Sequence, residues 1–275
     1  MKNLTIDIWE GLNYEGKDPN FRPDLRTYIL DEGFIKDRPR PAILIVPGGG
    51  YGCFGTGEQE CVAMQFAAAG YHTFILRYSI NPNRHPQPLL DLSRAMCIIR
   101  EHAEEWRVDA DKIAILGFSA GGHLCASFGT LWNRDFLQLP NAKAEQNKPN
   151  AMVLCYPVIT SDEAFTHMPS MWNLLGEELP EDLRKLVSPE LQVSEATPPA
   201  FIWHTFADPV VPTENTLMMA SALRKQGIPF ELHIYPEGPH GMSIANDDGT
   251  TQGANPHIAT WVPLCREWLK LQFGV

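Results

Sequence analysis

Short, nearly continuous apolar runs recur along the chain, separated by longer stretches in which apolar residues return every three or four positions. Residues 42–46 (AILIV), 72–76 (HTFIL), 113–117 (IAILG), 151–155 (AMVLC) and 200–204 (AFIWH) read as strands buried on both faces. A sixth run, 229–235 (PFELHIY), alternates more and is placed nearer a sheet edge. Helical patterns fill the gaps at 58–69, 89–106, 122–131, 213–226 and 258–271. Gly70 and Gly227 each follow one of them, where a left-handed cap residue belongs. The alternation predicts an α/β fold: a doubly wound, mostly parallel sheet with helices on both faces and no large cap domain. The first forty residues read as outer strands, around 5–9 and 27–30, and the whole of 1–275 as one domain. Segments 133–150 and 160–199 break the rhythm. Both are expected after strands, at the sheet end that carries sites in such folds, as rims over a pocket.

Gly117-Phe118-Ser119-Ala120-Gly121 lies between an expected strand and an expected helix, the context that gives G-x-S-x-G its meaning as a nucleophile elbow. The turn is tight enough to exclude side chains two residues either side of the serine, and it sets the hydroxyl at the head of a helix. A serine needs a base, and the base an orienting acid. His240, in Gly-Pro-His-Gly directly after the last strand pattern, is the candidate base; His204 and His233 fall inside strands, and His257 lies beyond the loop. Asp208, in the loop after 200–204, is the candidate acid, with Asp162 and Glu163 as alternatives one strand earlier.

Pro47-Gly48-Gly49-Gly50-Tyr51-Gly52 follows the first core strand. Consecutive glycines let backbone amides face a developing oxyanion, so Gly49, Gly50 and Ala120 are the expected donors. No Lys-Ser/Thr or GxGxxG register follows that would make it a phosphate loop. Tyr51 and Phe118 are candidate pocket residues. His123 and Cys125 read as structural, and Cys53 as a bystander beside the loop. Asp91 and Arg94 form either a helix-surface pair or part of a buried arrangement.

Composition narrows the partners. A net charge of −11 disfavours nucleic acid and anionic membrane surfaces. No apolar stretch approaches a membrane span, and Met1–Gly11 lacks a signal-peptide core. Six scattered cysteines show no metal-ligand spacing, and four of them (Cys97, Cys125, Cys155, Cys265) fall in apolar patterns as reduced thiols. A cytoplasmic location is the expectation, and a homodimer is the base-rate oligomer.

From about Pro41 onward the chain resembles the esterase/lipase branch of α/β-hydrolases related to bacterial feruloyl and acetylxylan esterases. The match is carried by PGGGY (47–51), AAAGY (67–71) leading to Leu76-Arg77-Tyr78, GFSAGGHL (117–124), DPVVP (208–212) and GPHG (238–241). The resemblance implies Ser119, Asp208 and His240 as triad and no metal or organic cofactor. It points to a small-molecule or oligosaccharide ester as substrate, acetylated sugars foremost, and the short rim segments predict an open or shallow site that takes short acyl groups. Many relatives carry a histidine where Pro47 stands; proline keeps the following amides as donors. Two other readings remain open: an amidase or formamidase on the same scaffold, and a non-catalytic ligand-binding protein.

Overall fold

The chain, described from a computed structural model over residues 1–31, 38–140 and 142–274, runs through eight strands and eight helices. In order these are β1 (Thr5–Asp7), β2 (Asp24–Tyr28), β3 (Arg40–Val46), α1 (Glu60–Ala67), β4 (His72–Arg77), α2 (Gln87–Glu101), α3 (Ala103–Trp106) and β5 (Val108–Phe118). There follow α4 (Ser119–Leu131), β6 (Ala151–Cys155), α5 (Met168–Leu175), α6 (Glu181–Leu186), β7 (Ala200–Thr205), α7 (Glu214–Gln226), β8 (Phe230–Tyr235) and α8 (Trp261–Phe273). All eight strands form one sheet, ordered β1-β2-β4-β3-β5-β6-β7-β8. β1 and β2 pair antiparallel at one edge, and every pair from β4 to β8 is parallel. This is the doubly wound α/β architecture that the pattern of apolar runs predicts.

Period-two alternation sorts each core strand onto two faces. Ala42, Leu44 and Val46 of β3 pack with α2, α4 and α7, while Ile43 and Ile45 pack with α1 and α8. α4 lies so deep that all of its residues are buried, which is why its sequence is small and apolar rather than amphipathic. Among the described residues no helix is long and apolar enough to cross a membrane. All six cysteines are free thiols, and the four expected in the core are buried there.

The chain leaves β3 for β4 on one side and returns to β5 on the other. The loops after β3 and β5 therefore diverge at the carboxyl end of the sheet, the place where ligands sit in open α/β folds. Segment 160–199 stands at that end and carries α5 and α6. Segment 133–150 does not. It follows a helix rather than a strand, and Arg100 of α2 holds it through the carbonyls of Gln146 and Lys148 and the side chain of Asn150. The Asn150 N–H reaches the Ile113 carbonyl, toward the amino-terminal half of β5 and away from Ser119. Residues 32–37 and 141, parts of the outer-strand and rim expectations, lie outside the described residues.

Candidate active site

The β5–α4 junction is built around its glycines. A Cβ on Gly117 would collide with the Gly121 carbonyl, and one on Gly121 would collide with the carbonyls of Val46 and Pro47. That close approach packs the start of α4 against β3 and forces Ser119 into the left-handed region, at φ 51°. Ser119 is the first residue of α4, so its hydroxyl lies where the helix's unpaired N–H groups favour negative charge.

β7 and β8 are parallel neighbours with Thr205 opposite Tyr235, so the loops that follow them run side by side. They bring Asp208 and His240 together. His240 Nδ1 is 2.6 Å from Asp208 Oδ2, and His240 Nε2 is 2.8 Å from Ser119 Oγ. The carboxylate can only accept, so Nδ1 carries the proton and the Nε2 lone pair faces the serine hydroxyl. Burial alone would raise the Asp208 carboxyl. Hydrogen bonds from His204 and His240, the His240 charge and the Val211 N–H outweigh it and hold Asp208 well below the usual carboxylate range. The alternatives Asp162 and Glu163 lie elsewhere, and Glu163 pairs with Arg184.

The glycine loop after β3 stands beside Ser119: a Cβ on Gly48 would come 2.9 Å from the Ser119 Cβ. Gly49, Gly50 and Tyr51 all have positive φ, which turns successive amides toward one side. Among the described residues no group accepts a hydrogen bond from the N–H of Gly49, Gly50 or Ala120. The Gly48 N–H, by contrast, is engaged by Glu58 Oε2 at 2.7 Å. The loop is held at several points. Tyr78 donates to the Pro47 carbonyl, Asn173 to the Gly50 carbonyl, and the N–H groups of Gly52 and Cys53 close onto the Gly49 carbonyl. Tyr51 reaches His123 Nδ1 at 2.7 Å, and His123 Nε2 donates to the Val187 carbonyl at 2.7 Å. Burial lowers His123 to about 4, so it is a neutral anchor, in keeping with its structural reading.

Tyr51 and Phe118 are both buried, and Tyr51 lines a small internal cavity with His85, His123 and Leu174. Tyr51 is drawn into the core by its bond to His123, and Phe118, on the strand face opposite Ser119's helix, packs against Tyr156 and Trp261. The Asp91–Arg94 pair does not form either. Asp91 is buried and accepts from Trp9, Ser79 and Gln87, while Arg94 pairs with Glu101.

Several residues at the site carry no sequence signal of their own. His204, read as a structural strand histidine, also lies 3.3 Å from Asp208 Oδ2. His167, at the start of α5, bonds Ser170 Oγ at 2.8 Å; a Cβ on Gly50 would stand 3.7 Å from each of the two side chains. Burial lowers the His167 imidazole, and the neighbouring His240 acts in the same direction. Phe206 and Val210, flanking Asp208 in its loop, are exposed, as is Trp172 of α5.

The chain is similar to known proteins in sequence and in fold. The profile of the BD-FAE family matches residues 34–223. Endo-1,4-beta-xylanase B of Butyrivibrio fibrisolvens is 37% identical over 254 residues, which is 90% of this chain and 39% of that protein. An acetylxylan esterase of Xylanibacter ruminicola is 32% identical over 217 residues, 77% of this chain and 43% of its own length. The chain thus spans about two fifths of these curated relatives. Among solved structures, an acetyl ester-xyloside bifunctional hydrolase from Caldicellulosiruptor lactoaceticus superposes with a TM-score of 0.84 at 37% identity, covering 98% of this chain and 96% of that one. A carboxylesterase from Lactobacillus plantarum gives 0.82 at 26% identity, covering 99% and 97%.

Proposed function

Because the chain belongs to the BD-FAE family, in the esterase branch of the α/β-hydrolases, we propose that it hydrolyses short-chain acyl esters, acetyl groups on sugars foremost, through an acyl-enzyme on Ser119. The observation that carries the reading is the unbroken line from Ser119 Oγ through His240 to Asp208, beside unpaired loop amides.

In this scheme His240 Nε2 takes the Ser119 proton as Oγ attacks the ester carbonyl. The N–H groups of Gly49, Gly50 and Ala120 receive the charge that develops on the carbonyl oxygen. His240 Nε2–H then protonates the departing alcohol, and the acyl group stays on Ser119. Water attacks that ester, gives its proton to His240, and the acid leaves as Oγ recovers its proton. Asp208 keeps the imidazole in the useful tautomer and stabilises its cationic form throughout.

The substrate side rests on the rim. Next to Gly50 stands the half-buried His167, held by the buried Ser170, a polar group suited to a hydroxylated alcohol and ill suited to a long acyl chain. Exposed Phe206 and Trp172 offer flat apolar faces of the kind that pack on sugar rings. The names of the xylan-directed relatives agree with that choice. The test is a series of p-nitrophenyl acetate, butyrate and octanoate, followed by acetate release from acetylated xylo-oligosaccharide. Turnover falling with chain length, with acetate released from the sugar, is expected. Preference for octanoate, or faster cleavage of a matched amide, would refute it.

A further inference from the structure

One buried carboxyl group, used by no step above, joins the glycine loop to the histidine loop. Glu58 lies in a single turn of 3-10 helix ahead of α1 and is only 7% exposed. Its Oε2 accepts the Gly48 N–H at 2.7 Å, and its Oε1 accepts the Tyr156 hydroxyl at 2.7 Å. Tyr156 sits just past β6, and its oxygen accepts the N–H of Ser243, three residues beyond His240, at 2.9 Å. The Tyr156 ring meets the His240 ring edge-on, with centroids 5.0 Å apart. Ser243 returns to the Glu58 turn by donating its hydroxyl to the Gly57 carbonyl at 2.5 Å. A closed circuit therefore ties the loop after β3, the turn before α1, the end of β6 and the loop after β8.

We propose that Glu58, in its anionic form, is a positioning residue that fixes the Gly48 peptide and the His240 loop together and faces the His240 imidazolium with a second buried negative charge. The inference rests on the esterase reading above and deepens it. The Gly48 N–H can only donate, and Tyr156, already accepting from Ser243, has a proton to give, so both contacts call for a carboxylate. With its N–H turned toward Glu58, Gly48 points away from the serine and leaves Gly49 and Gly50 to face it. Without an acceptor at Glu58, that N–H becomes a buried unpaired donor, and the peptide is free to rotate into the site.

The environment works against this charge. Burial raises the Glu58 carboxyl, and the Tyr156 and Gly48 hydrogen bonds and the His240 charge counter only part of the rise. The other titratable groups facing it are Tyr156 and Cys155 at the end of β6 and Tyr78 beyond β4. Burial pushes all three well above their ordinary values, with the Glu58 charge adding to each, so they stay neutral. His240 is left as the neighbour whose charge changes during the reaction. A carboxyl whose folded value is raised supports folding below the ordinary glutamate range and loses that support as pH rises through the raised value. The support that the protonated carboxyl gives to folding is therefore gone at pH 8, while activity needs the anion and falls as acid protonates it.

The experiment uses the full chain as wild type, Glu58→Gln, Tyr156→Phe and Ser119→Ala, with two readouts across about pH 5 to 9: p-nitrophenyl acetate kinetics and the rate at which a fluorophosphonate probe labels Ser119. Glu58→Gln should lower kcat and the labelling rate by about 10- to 100-fold at pH 8, with KM within about twofold, since misplacing one oxyanion donor costs about that much or more. Glutamine has one acceptor oxygen for two donors, so the variant should melt at or somewhat below wild type at pH 8, and its acid limb should move to lower pH because one ionisation is gone. Tyr156→Phe should lose about 3- to 10-fold in both rates, by removing one neutral hydrogen bond from the circuit, and it decides the matter if the glutamine variant fails to fold. Wild-type rates with an unchanged acid limb, or lost stability with unchanged rates, would overturn the proposal. Wild-type labelling without ester turnover would instead contradict the esterase reading, and the labelling rates would still decide the role of Glu58.

Discussion

Replacing Asp208 by asparagine exchanges one oxygen for an NH₂ group and, by the geometry of the site, reverses the histidine. Asp208 Oδ1 accepts the N–H groups of Val210 at 2.8 Å and Val211 at 3.0 Å, while Oδ2 faces His240 Nδ1 at 2.6 Å and His204 Nε2 at 3.3 Å. An asparagine keeps its oxygen on the two backbone donors, so its NH₂ group points at His240. That NH₂ makes Nδ1 an acceptor, moves the ring proton to Nε2 and removes the lone pair that faced Ser119. Restoring the useful tautomer means flipping the amide and leaving the buried Val211 N–H and the part-buried Val210 N–H unpaired, at most about 2–6 kcal/mol at 1–3 kcal/mol each. That corresponds to a factor of about 30 to 10⁴ in rate. Loss of the anion beside the imidazolium adds to it, so kcat for p-nitrophenyl acetate should fall by about 10³- to 10⁴-fold, in line with the same exchange in serine proteases. The NH₂ also meets the His204 Nε2–H, donor against donor, at about 1–3 kcal/mol of stability. The melting temperature should drop by about 2–10 °C at neutral pH for a chain of this size. Asp208's folded value is depressed, so its stabilisation is present above the ordinary carboxylate range and fades as pH falls below about 4, where the two melting curves should converge. Steady-state kinetics and melts from acid to neutral pH check both halves. Asp208→Asn retaining more than about a tenth of wild-type kcat would refute the tautomer argument.

Gly121→Ala should cost at least about 1–3 kcal/mol in urea unfolding, because its methyl group meets the carbonyls of Val46 and Pro47 rather than a side chain that can turn away; a variant as stable as wild type would contradict the packing given for the elbow. His167→Ala should raise KM for acetylated xylo-oligosaccharide by about 3- to 10-fold, the loss of one hydrogen bond of about 1 kcal/mol, while leaving kcat for p-nitrophenyl acetate near wild type. Equal loss on both substrates would exclude a role in recognising the alcohol. Burial raises Asp91 to about 6, with hydrogen bonds from Ser79, Gln87 and Trp9 countering part of the rise. Its contribution to folding is full below the ordinary aspartate range near 4 and is lost as pH rises through 6. Asp91→Asn should flatten the decline in melting temperature across that window, and an unchanged slope would count against it.

The apolar strands were legible because both faces of a parallel sheet are covered. Residues 151–155 read as a strand with the bounds the structure gives β6, and the edge position inferred for 229–235 from its alternation is that of β8. Boundaries failed where polar residues continue an element. β5 begins at Val108, five residues before its apolar half, because Arg40 of β3 pairs there. The outer strand expected at 27–30 lies at Asp24–Tyr28, where Asp24 is held by Arg77 across the β2–β4 pair. The helix expected over 89–106 breaks at His102, and α4 starts at Ser119 because the elbow itself is the first helical turn. Ser119, Asp208 and His240 each carried a local signal, a motif or a loop directly after a strand, and the structure brings the three together. Glu58 carried none: in Gly57-Glu58-Gln59-Glu60 it reads as a solvated helix start, and only the fold places it under the glycine loop. Tyr156 and His167 escaped for the same reason, since what each does depends on partners about ninety or more residues away.

The most direct test of the account is the kcat of purified wild type and Ser119→Ala on p-nitrophenyl acetate, measured on protein shown to be folded. The account expects wild-type turnover and, in the alanine variant, a loss of about 10⁶-fold, the scale set by removing the nucleophile from such a triad. Turnover by Ser119→Ala within about tenfold of wild type would mean that the chemistry takes place elsewhere in the molecule.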